Sequence, residues 1–573
     1  MRVVSLSRIV ALSLILWVFV MAPSAADPPV ASSPVLSAMK GELTRSLTTL
    51  RKQSVPPYFL AYEITEARRV FTRASFGALT VSGDSVRRQL DIDLRVGDYT
   101  LDNTRTIRGN ARYGRQRREF ISVPIEDDGD ALANVLWYQT DRIYKTAVEN
   151  LTKVRSDVQV KVETEDRSAD FSREQAERHA DRILDLDVDR ELWENKVRTY
   201  TAPFADHGDI YQASVDLSAE VTTRWLVNSE GSEIRTSQRR YRLFISAFSK
   251  ADDGMELPRY ESFMAFTEDG LPDDETVMST VAQMIKDLKA LRVAPVVDPY
   301  TGPALLTGRA AGVFFHEVFG HRIEGHRQKR EEEGQTFKKK VGGSVLPENF
   351  SIYFDPTLAH AAGTDLAGFY RYDNEGVKAR RVTVVEDGVF ENFLMSRTPI
   401  DSFPNSNGHG RRQAGYPAVS RQSNLLMEVD DAVPQAEIKQ RLIEMIREQG
   451  KPFGLIFEDI QGGFTVTGRT LPNAFNVLPI LVYRLFPDGR EELVRGVDLI
   501  GTPLAAFSRI VAADDRPAVF NGTCGAESGG VPVSAVSPGI LVEQIEVQKK
   551  EKSQERPPIL PAPPSTDASG SES

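Results

Sequence analysis

The chain has 573 residues, of which 41% are hydrophobic and 26% are charged. This composition excludes an intrinsically disordered protein, because disordered chains have too few apolar residues to form a core, and the length predicts two large domains. The net charge of −11 at pH 7 argues against nucleic acid as a general partner, since binding phosphates requires a positively charged face.

The first 26 residues have the composition of an export signal. Arg2 and Arg8 precede the uncharged run 9–21, and small residues follow as far as Ala26. This run is shorter than the roughly 20 apolar residues that span a bilayer, which favours a cleaved signal over a membrane anchor. No later segment is apolar enough to span a membrane. We expect a mature chain that begins near Asp27 and is exported to the periplasm.

Residues 27–297 are predicted to form an α+β domain, because helix-like and strand-like segments both occur in it. Apolar residues at helical spacing predict helices at 33–53, 130–154 and 273–291. Strand-like runs lie at 58–65, 70–76 and 89–94, and two further runs, 221–227 and 241–248, predict a paired sheet edge around a polar turn. This domain has no obvious catalytic pattern.

Residues 298–550 are predicted to form a β-rich C-terminal domain that carries the chemistry. The dipeptides Asp387-Gly388 and Asp488-Gly489 favour tight turns and predict two hairpins, and a helix is predicted at 434–449. Residues 551–573 are charged and then rich in proline, serine and glycine, which predicts a disordered tail. The predicted fold class is therefore α+β.

An apolar, helix-like stretch of the second half contains His316, Glu317 and His321. Burying ionisable side chains is costly unless they are paired or bound to metal, and two imidazoles beside a carboxylate are typical of catalytic zinc sites. The histidines are five residues apart, which places them roughly 140° apart on a regular α-helix. We therefore predict an irregular helix at 316–321 with a single π-type turn, eased by Gly320.

A catalytic zinc ion needs a third protein ligand. Cys524, the only cysteine, lies in a loop-like segment with flanking glycines and is the first choice, although a small buried cysteine without metal is the competing interpretation. His326 and Glu324 are alternative metal ligands, but both are also compatible with a solvated helix end. Glu317 is then placed to act as general base in hydrolysis of an amide bond.

Two residues of a glycine-containing segment, His409 and Arg411, are candidates for contacts with the substrate or with a developing oxyanion. An ordinary loop histidine is the competing interpretation of His409. The charged run 327–340 is compatible with a solvated loop or with a flap over a cleft.

Several segments of the second half resemble the TldD/PmbA metalloprotease family, formerly called modulators of DNA gyrase. The segment AAGVFFHEVFGHRIEG at 310–325 resembles the family signature, and further motifs follow in the family's order. They are YDNEGV at 372–377, SNGHGRR at 406–412, SRQSN at 420–424, GGFTVTGR at 462–469, GVDLIGTPL at 496–504 and GTCGAESGGVPVSAVSPGILVEQIEV at 522–547. The resemblance covers nearly the whole second half.

The resemblance implies a zinc endopeptidase in which His316, His321 and Cys524 bind one Zn²⁺ per active subunit and Glu317 is the general base. It also implies a two-domain subunit with a helix-flanked sheet in the first domain and a second domain rich in β structure. Such subunits would assemble as a homodimer, or as a heterodimer with a related chain, around a channel that admits unfolded or extended peptides. Because this chain has every part of the motif, it resembles the active, TldD-like subunit type. The alternatives are a catalytically silent, metal-containing partner subunit of a protease complex, and a lyase or amidase that acts on a small amide.

Overall fold

The structure of the chain is a computed structural model that describes residues 33–107, 120–160, 166–330, 333, 335–465, 467–468, 475–551 and 555–563. The predicted signal peptide lies outside the described residues. Most of the predicted tail also lies outside the described residues. Within its described part, Glu555 forms an ion pair with Lys250 at 2.8 Å. Within the described residues, no helix has the length and apolar character needed to cross a membrane.

Helices and strands are mixed along the described chain, which confirms the α+β class. The helices are α1 (Pro34–Leu50), α2 (Gly129–Val160), α3 (Arg190–Thr201), α4 (Asp274–Val293), α5 (Gly308–Val318), α6 (Gln435–Glu448) and α7 (Pro503–Phe507). The strands of the first half are β1 (Pro57–Ser75), β2 (Ala78–Val96), β3 (Ile121–Ser122), β4 (Arg178–Ala180), β5 (Gln212–Asn228), β6 (Glu233–Lys250) and β7 (Glu256–Ala265).

The strands of the second half are shorter and more numerous. They are β8 (Tyr300–Leu306), β9 (Phe350–Phe354), β10 (His360–Ala361), β11 (Thr364–Asp365), β12 (Val382–Glu386), β13 (Val389–Phe390), β14 (Gly410–Arg411), β15 (Val419–Ser420), β16 (Asn424–Val429), β17 (Gly454–Thr465), β18 (Phe475–Leu485), β19 (Glu491–Val494), β20 (Val497–Gly501), β21 (Ile510–Ala513), β22 (Ala518–Ala526), β23 (Gly529–Ser537) and β24 (Ile540–Lys549).

The first half forms one sheet in the order β3-β2-β1-β5-β6-β4, with β7 also paired to β6. The predicted strands at 58–65 and 70–76 are parts of the single strand β1, because the intervening polar residues remain paired with β2. Strands β5 and β6 form the predicted hairpin. They are not a sheet edge, however, because β1 pairs with β5 and β7 pairs with β6. That part of the prediction is wrong.

Helices α1 and α2 pack on β1, β2 and β5, whereas α3 and α4 pack mainly on β1, β5, β6 and β7. The predicted starts of α1 and α4 are confirmed by their caps. The Ser33 side chain accepts a hydrogen bond from the backbone N–H of Leu36, and the Asp273 side chain accepts one from Thr276. The first half is therefore a helix-flanked sheet, as the family resemblance implied.

The second half contains two larger sheets. One has the order β13-β12-β9-β16-β23-β22, and in the other β17, β8, β24, β20 and β18 form a closed ring because β17 pairs with both β8 and β18. The predicted hairpins at Asp387-Gly388 and Asp488-Gly489 join β12 to β13 and β18 to β19. Helix α5 contacts β17 of one sheet and β22 and β23 of the other. A helix enclosed in this way is mostly apolar, which explains the small and aromatic residues of α5.

A network of five charged residues, three of them buried, connects the first sheet to α5 and β17. Arg259 of β7 contacts Asp287 at 3.1 Å and Asp459 at 2.8 Å, and Arg309 of α5 contacts Glu261 at 2.8 Å and Asp459 at 3.2 Å. Each charge has an opposite partner, which offsets the cost of burial. The two halves of the chain are thereby joined next to the helix that carries the metal motif. The domain boundary predicted at 297–298 lies between α4 and β8.

Candidate metal centre

Helix α5 carries His316 and ends between the two motif histidines. The helix runs to Val318, Phe319 follows with φ −109° and ψ −54°, and a 3₁₀ helix then spans Gly320–Ile323. The predicted irregularity is present, but the predicted π-type turn is wrong. The chain leaves the α-helix altogether, and this break removes the roughly 140° divergence that a continuous helix would impose on the two imidazoles.

Gly320 allows close packing at this break. A Cβ atom at position 320 would overlap the side-chain amide of Gln422. Gln422 in turn donates a hydrogen bond from Nε2 to the backbone carbonyl of His316 at 3.3 Å. Any side chain at position 320 would therefore displace the residue that holds the end of α5.

We expect Gly320→Ala to lower the free energy of unfolding by about 1–3 kcal/mol, because it overpacks a buried site. Chemical denaturation followed by circular dichroism measures this change. Gly41→Ala is the matched control, since Gly41 lies in α1 with nothing within 4 Å of an added Cβ. Alanine is better than glycine in a helix by about 1 kcal/mol, so the control should gain stability. A Gly320→Ala protein as stable as the wild type would contradict the packing described here.

Three ligand-type side chains converge from three elements: His316 from α5, His321 from the 3₁₀ helix and Cys524 from β22. Their nitrogen and sulfur atoms lie within 4.8 Å of one another, and Cys524 Sγ is 3.3 Å from His321 Nε2. All three residues are buried, with exposed fractions of 8% or less. Cys524 lies on a strand, not in the loop that the glycines predicted. Among the described residues, no other group of His, Cys, Asp and Glu has this spacing.

The charges around Cys524 favour the thiolate. Burial raises the pKa of the thiol, but His321, His316 and Arg421 outweigh burial and hold this pKa well below its ordinary value. Burial lowers the pKa of His321, whereas Cys524 and Glu324 raise it, to about 10. Thiolate is the form in which cysteine binds metal ions, and a binding metal would displace the proton of His321.

The donor set fits zinc. Typical Zn–S and Zn–N bonds in a tetrahedral site place the sulfur and nitrogen atoms about 3.6 Å apart, close to the 3.3 Å between Cys524 and His321. Two imidazoles and one thiolate also leave one coordination position for water or substrate, as in catalytic zinc sites.

A cleft of about 400 Å³ opens at the three ligand residues and is also lined by Glu317. Glu317 is 8% exposed, and its carboxylate makes no hydrogen bond within the described part of the chain. Gly463 of β17 packs against it, since a Cβ atom there would lie 3.1 Å from Glu317 Cγ. A carboxylate that faces the cleft without a partner is free to accept a proton.

Glu324, one of the alternative metal ligands, is fully buried and engaged by other groups. Its carboxylate accepts a hydrogen bond from Arg327 Nε at 2.9 Å and contacts Arg421 Nε at 3.2 Å. Burial opposes ionisation, but Arg327, His321 and Arg421 hold the pKa of Glu324 well below its usual range. Glu324 Oε2 also lies 3.4 Å from Nδ1 of His321. Glu324 therefore contacts one of the ligand residues but is not itself part of the cluster formed by His316, His321 and Cys524.

His326, the other alternative ligand, also has a different partner. Its Nε2 atom lies 2.6 Å from Glu527 Oε1, and it is not part of the cluster of ligand-type atoms. The beginning of the charged run is not a solvated loop, because a 3₁₀ helix spans Gly325–Lys329 and the Arg327 side chain is buried. Residues 331, 332 and 334 of that run lie outside the described residues.

His409 and Arg411 do not reach the cleft, which corrects the role predicted for them. His409 is fully buried, its Nε2 atom is 3.0 Å from Ser423 Oγ, and burial lowers its pKa to about 3. The guanidinium carbon of Arg411 lies 4.7 Å from the centre of the Tyr370 ring. Arg411 also donates a hydrogen bond to the backbone carbonyl of Gln422, so both side chains are engaged by other residues and neither lines the cleft at the candidate metal centre.

The sequence analysis missed Arg421, Gln422 and Gly463, which surround the ligand residues. Arg421 Nη2 donates to the backbone carbonyl of Cys524 at 2.7 Å. All three residues lie inside quoted family motifs, SRQSN and GGFTVTGR. Membership of a motif was the one available signal, because no spacing rule connects these residues to ligands about a hundred positions away.

A helix-flanked sheet joined to a β-rich half, with two histidines, a cysteine and a glutamate at one cleft, has the features of the metallopeptidase class. The chain matches the sequence profile of the PmbA/TldA metallopeptidase central domain over residues 164–289 and that of the C-terminal domain over residues 299–549. Together the two matches cover more than half of the chain. It belongs to the PmbA/TldA metallopeptidase family.

Individual proteins agree with this assignment. A metalloprotease of Methanothermobacter thermautotrophicus is 26% identical over 347 residues, which are 58% of this chain and 70% of the relative. A zinc metalloprotease TldD homologue of Saccharolobus solfataricus is 22% identical over 60% of this chain and 72% of its own. The crystal structure of a protein from Thermotoga maritima, described as a putative modulator of DNA gyrase, shares the fold with a TM-score of 0.58 and 16% identity, over 89% of this chain and 99% of that one.

Proposed function

We propose that this protein is an exported zinc endopeptidase that hydrolyses peptide bonds in unfolded or extended peptides. The observation that carries the proposal is the convergence of His316, His321 and Cys524 at a cleft that Glu317 also lines. The relative named as a zinc metalloprotease supports the choice of metal.

The chemistry divides between the ion and the chain. Bound zinc would supply the Lewis acidity that activates a water molecule and polarises the scissile carbonyl. His316, His321 and Cys524 would hold the ion, and Glu317 would accept the proton of the attacking water at its carboxylate and pass it to the leaving amine. A silent partner subunit would not need a carboxylate in this place, which is why we prefer an active enzyme.

Strand β17 supports the choice of extended peptides as substrates. β8 pairs with β17 only through Leu455–Phe457, and beyond that point β18 is the one described strand that pairs with it. The open stretch 461–465 lines the cleft beside the ligand residues. Backbone groups on an open strand edge bind an extended chain by strand addition, largely independently of its side chains. Phe464, 56% exposed, adds an apolar contact there.

The compartment and the assembly are further parts of the proposal. Export to the periplasm is inferred from the basic and apolar residues of the first 26 positions, and the N-terminal sequence of protein recovered from that compartment tests it. A homodimer, or a heterodimer with a related chain, is inferred from the family resemblance. Light scattering of the purified protein, alone and mixed with a related chain from the same organism, tests the assembly.

Purified protein with one zinc ion per chain should hydrolyse a mixed library of unstructured peptides and should be much less active on small amides. Removing the metal with a chelator should abolish hydrolysis, and adding zinc should restore it. Mass spectrometry of the products identifies the cleaved bonds. Zinc-loaded protein that cleaves nothing in the library would support the silent-subunit alternative, and preference for small amides would support an amidase.

A further inference from the structure

Glu324 and Arg421 form an ion pair directly behind the candidate metal centre. Both residues are fully buried, and Arg421 Nε lies 3.2 Å from Glu324 Oε1. A buried ion pair gives little net stability, because desolvation offsets most of the attraction. Its presence at this position therefore calls for another explanation.

Each member of the pair contacts a different ligand residue. Glu324 Oε2 lies 3.4 Å from Nδ1 of His321, and it is the opposite ring nitrogen, Nε2, that faces Cys524 Sγ at 3.3 Å. Arg421 Nη2 donates to the backbone carbonyl of Cys524 at 2.7 Å. The pair thus connects the imidazole of one ligand to the backbone of another.

The remaining hydrogen-bonding capacity of the pair fixes it in place. Arg421 Nη1 donates to Ser528 Oγ at 2.7 Å, in the turn between β22 and β23, and to the carbonyl of Gly529 at 3.1 Å, at the start of β23. Arg327 Nε donates to the second carboxylate oxygen of Glu324 at 2.9 Å. The guanidinium therefore holds both the strand that carries Cys524 and the turn that follows it.

We propose that Glu324 and Arg421 act as a clamp that positions His321 and Cys524 for metal binding; this inference rests on the proposed metal centre. Glu324 accepts the Nδ1–H of His321, which leaves the lone pair of Nε2 free for the ion. Arg421 fixes the backbone of Cys524 and hence the direction of its sulfur. Both are positioning residues, because neither contacts the ion or the substrate.

The clamp predicts weaker metal binding when either member is changed. Glu324→Gln keeps the shape but not the charge, and Arg421→Lys keeps the charge but cannot make the forked set of contacts. We expect either variant to raise the dissociation constant for zinc by about 10–100-fold, as is typical for groups that orient metal ligands. Competition with a chromophoric chelator measures this constant. In Co²⁺-loaded protein, the sulfur-to-cobalt absorption band should weaken or shift.

Arg397→Gln is the matched control. Arg397 is another buried arginine, and its side chain is engaged by the carbonyl of Ser172 and, at 2.8 Å, by Glu230 instead of by a ligand residue, so its loss should cost stability without changing metal affinity. Glu324→Asp should fold even if the other variants do not, because it keeps the negative charge next to Arg327 and Arg421. Its side chain is too short to reach His321 as well, so it still tests the clamp. Zinc affinity within twofold of wild type in the folded variants would overturn the clamp. Wild-type protein that fails to bind zinc would instead overturn the proposed function.

Discussion

Glu317→Gln should reduce kcat/KM for peptide hydrolysis by about 10²–10⁴-fold, the usual contribution of a general base, while one zinc ion per chain remains bound. Glutamine has the shape of glutamate, so the contact with Gly463 is preserved. It has no carboxylate to accept a proton from the attacking water. Initial rates with an unstructured fluorogenic peptide and metal analysis of the same sample test both parts of this expectation.

The control for this variant is Glu386→Gln, which makes the same chemical change at the end of β12. Glu386 is exposed and is not one of the residues that line the cleft. It should retain wild-type activity and zinc content. Unchanged hydrolysis in Glu317→Gln would remove Glu317 from the mechanism. Loss of zinc together with activity would show that Glu317 supports the metal, in which case the rate change could not be assigned to proton transfer.

The parts of the fold that were predicted well are those determined by local chemistry. The starts of α1 and α4 follow from a capping side chain in front of an apolar repeat, and the two Asp-Gly hairpins follow from residues that tolerate positive φ angles. The sequence predicts two strands in place of β1, because polar residues interrupt the middle of this strand. Glu66 in that region is buried and pairs with Arg88 of β2. Polar residues satisfied by a neighbouring strand cannot be distinguished from a loop without knowing the pairing.

The same distinction applies to the site. Histidine and cysteine are rare in this chain, with 7 His and 1 Cys in 573 residues, so their chemistry identified the three residues that the structure brings together. The way in which the fold brings these three residues together could not be predicted from the sequence. It depends on the end of α5 at Val318 and on the contact between Arg421 and Cys524, which are 103 positions apart. For His409, by contrast, the sequence pattern predicted a role that the structure does not support. Flanking glycines suggested an accessible loop, but the side chain is buried against Ser423.

Cys524→Ser should weaken zinc binding by at least about a hundredfold and abolish peptide hydrolysis, because removing a ligand must cost more than disturbing the groups that orient it. The neighbouring charges hold the pKa of Cys524 well below its ordinary value and so favour the thiolate, whereas a serine hydroxyl is a far weaker acid. Zinc titration against a chelator and the peptide assay measure the two effects.

Because the chain has a single cysteine, the same ligand can be tested without a mutation. Iodoacetamide should alkylate Cys524 in protein stripped of metal, and stoichiometric zinc should protect it, since a metal-bound sulfur is a poor nucleophile. Intact-mass spectrometry counts the adduct.

Thr523→Ser, a change at the exposed residue next to Cys524, is the control for Cys524→Ser and should leave zinc affinity unchanged. Zinc binding by Cys524→Ser as tight as that of the wild type, or a thiol that zinc does not protect, would show that Cys524 is not the third ligand. The alternative ligands are His326 and Glu324. Each would first have to break its present contact, with Glu527 and Arg327 respectively.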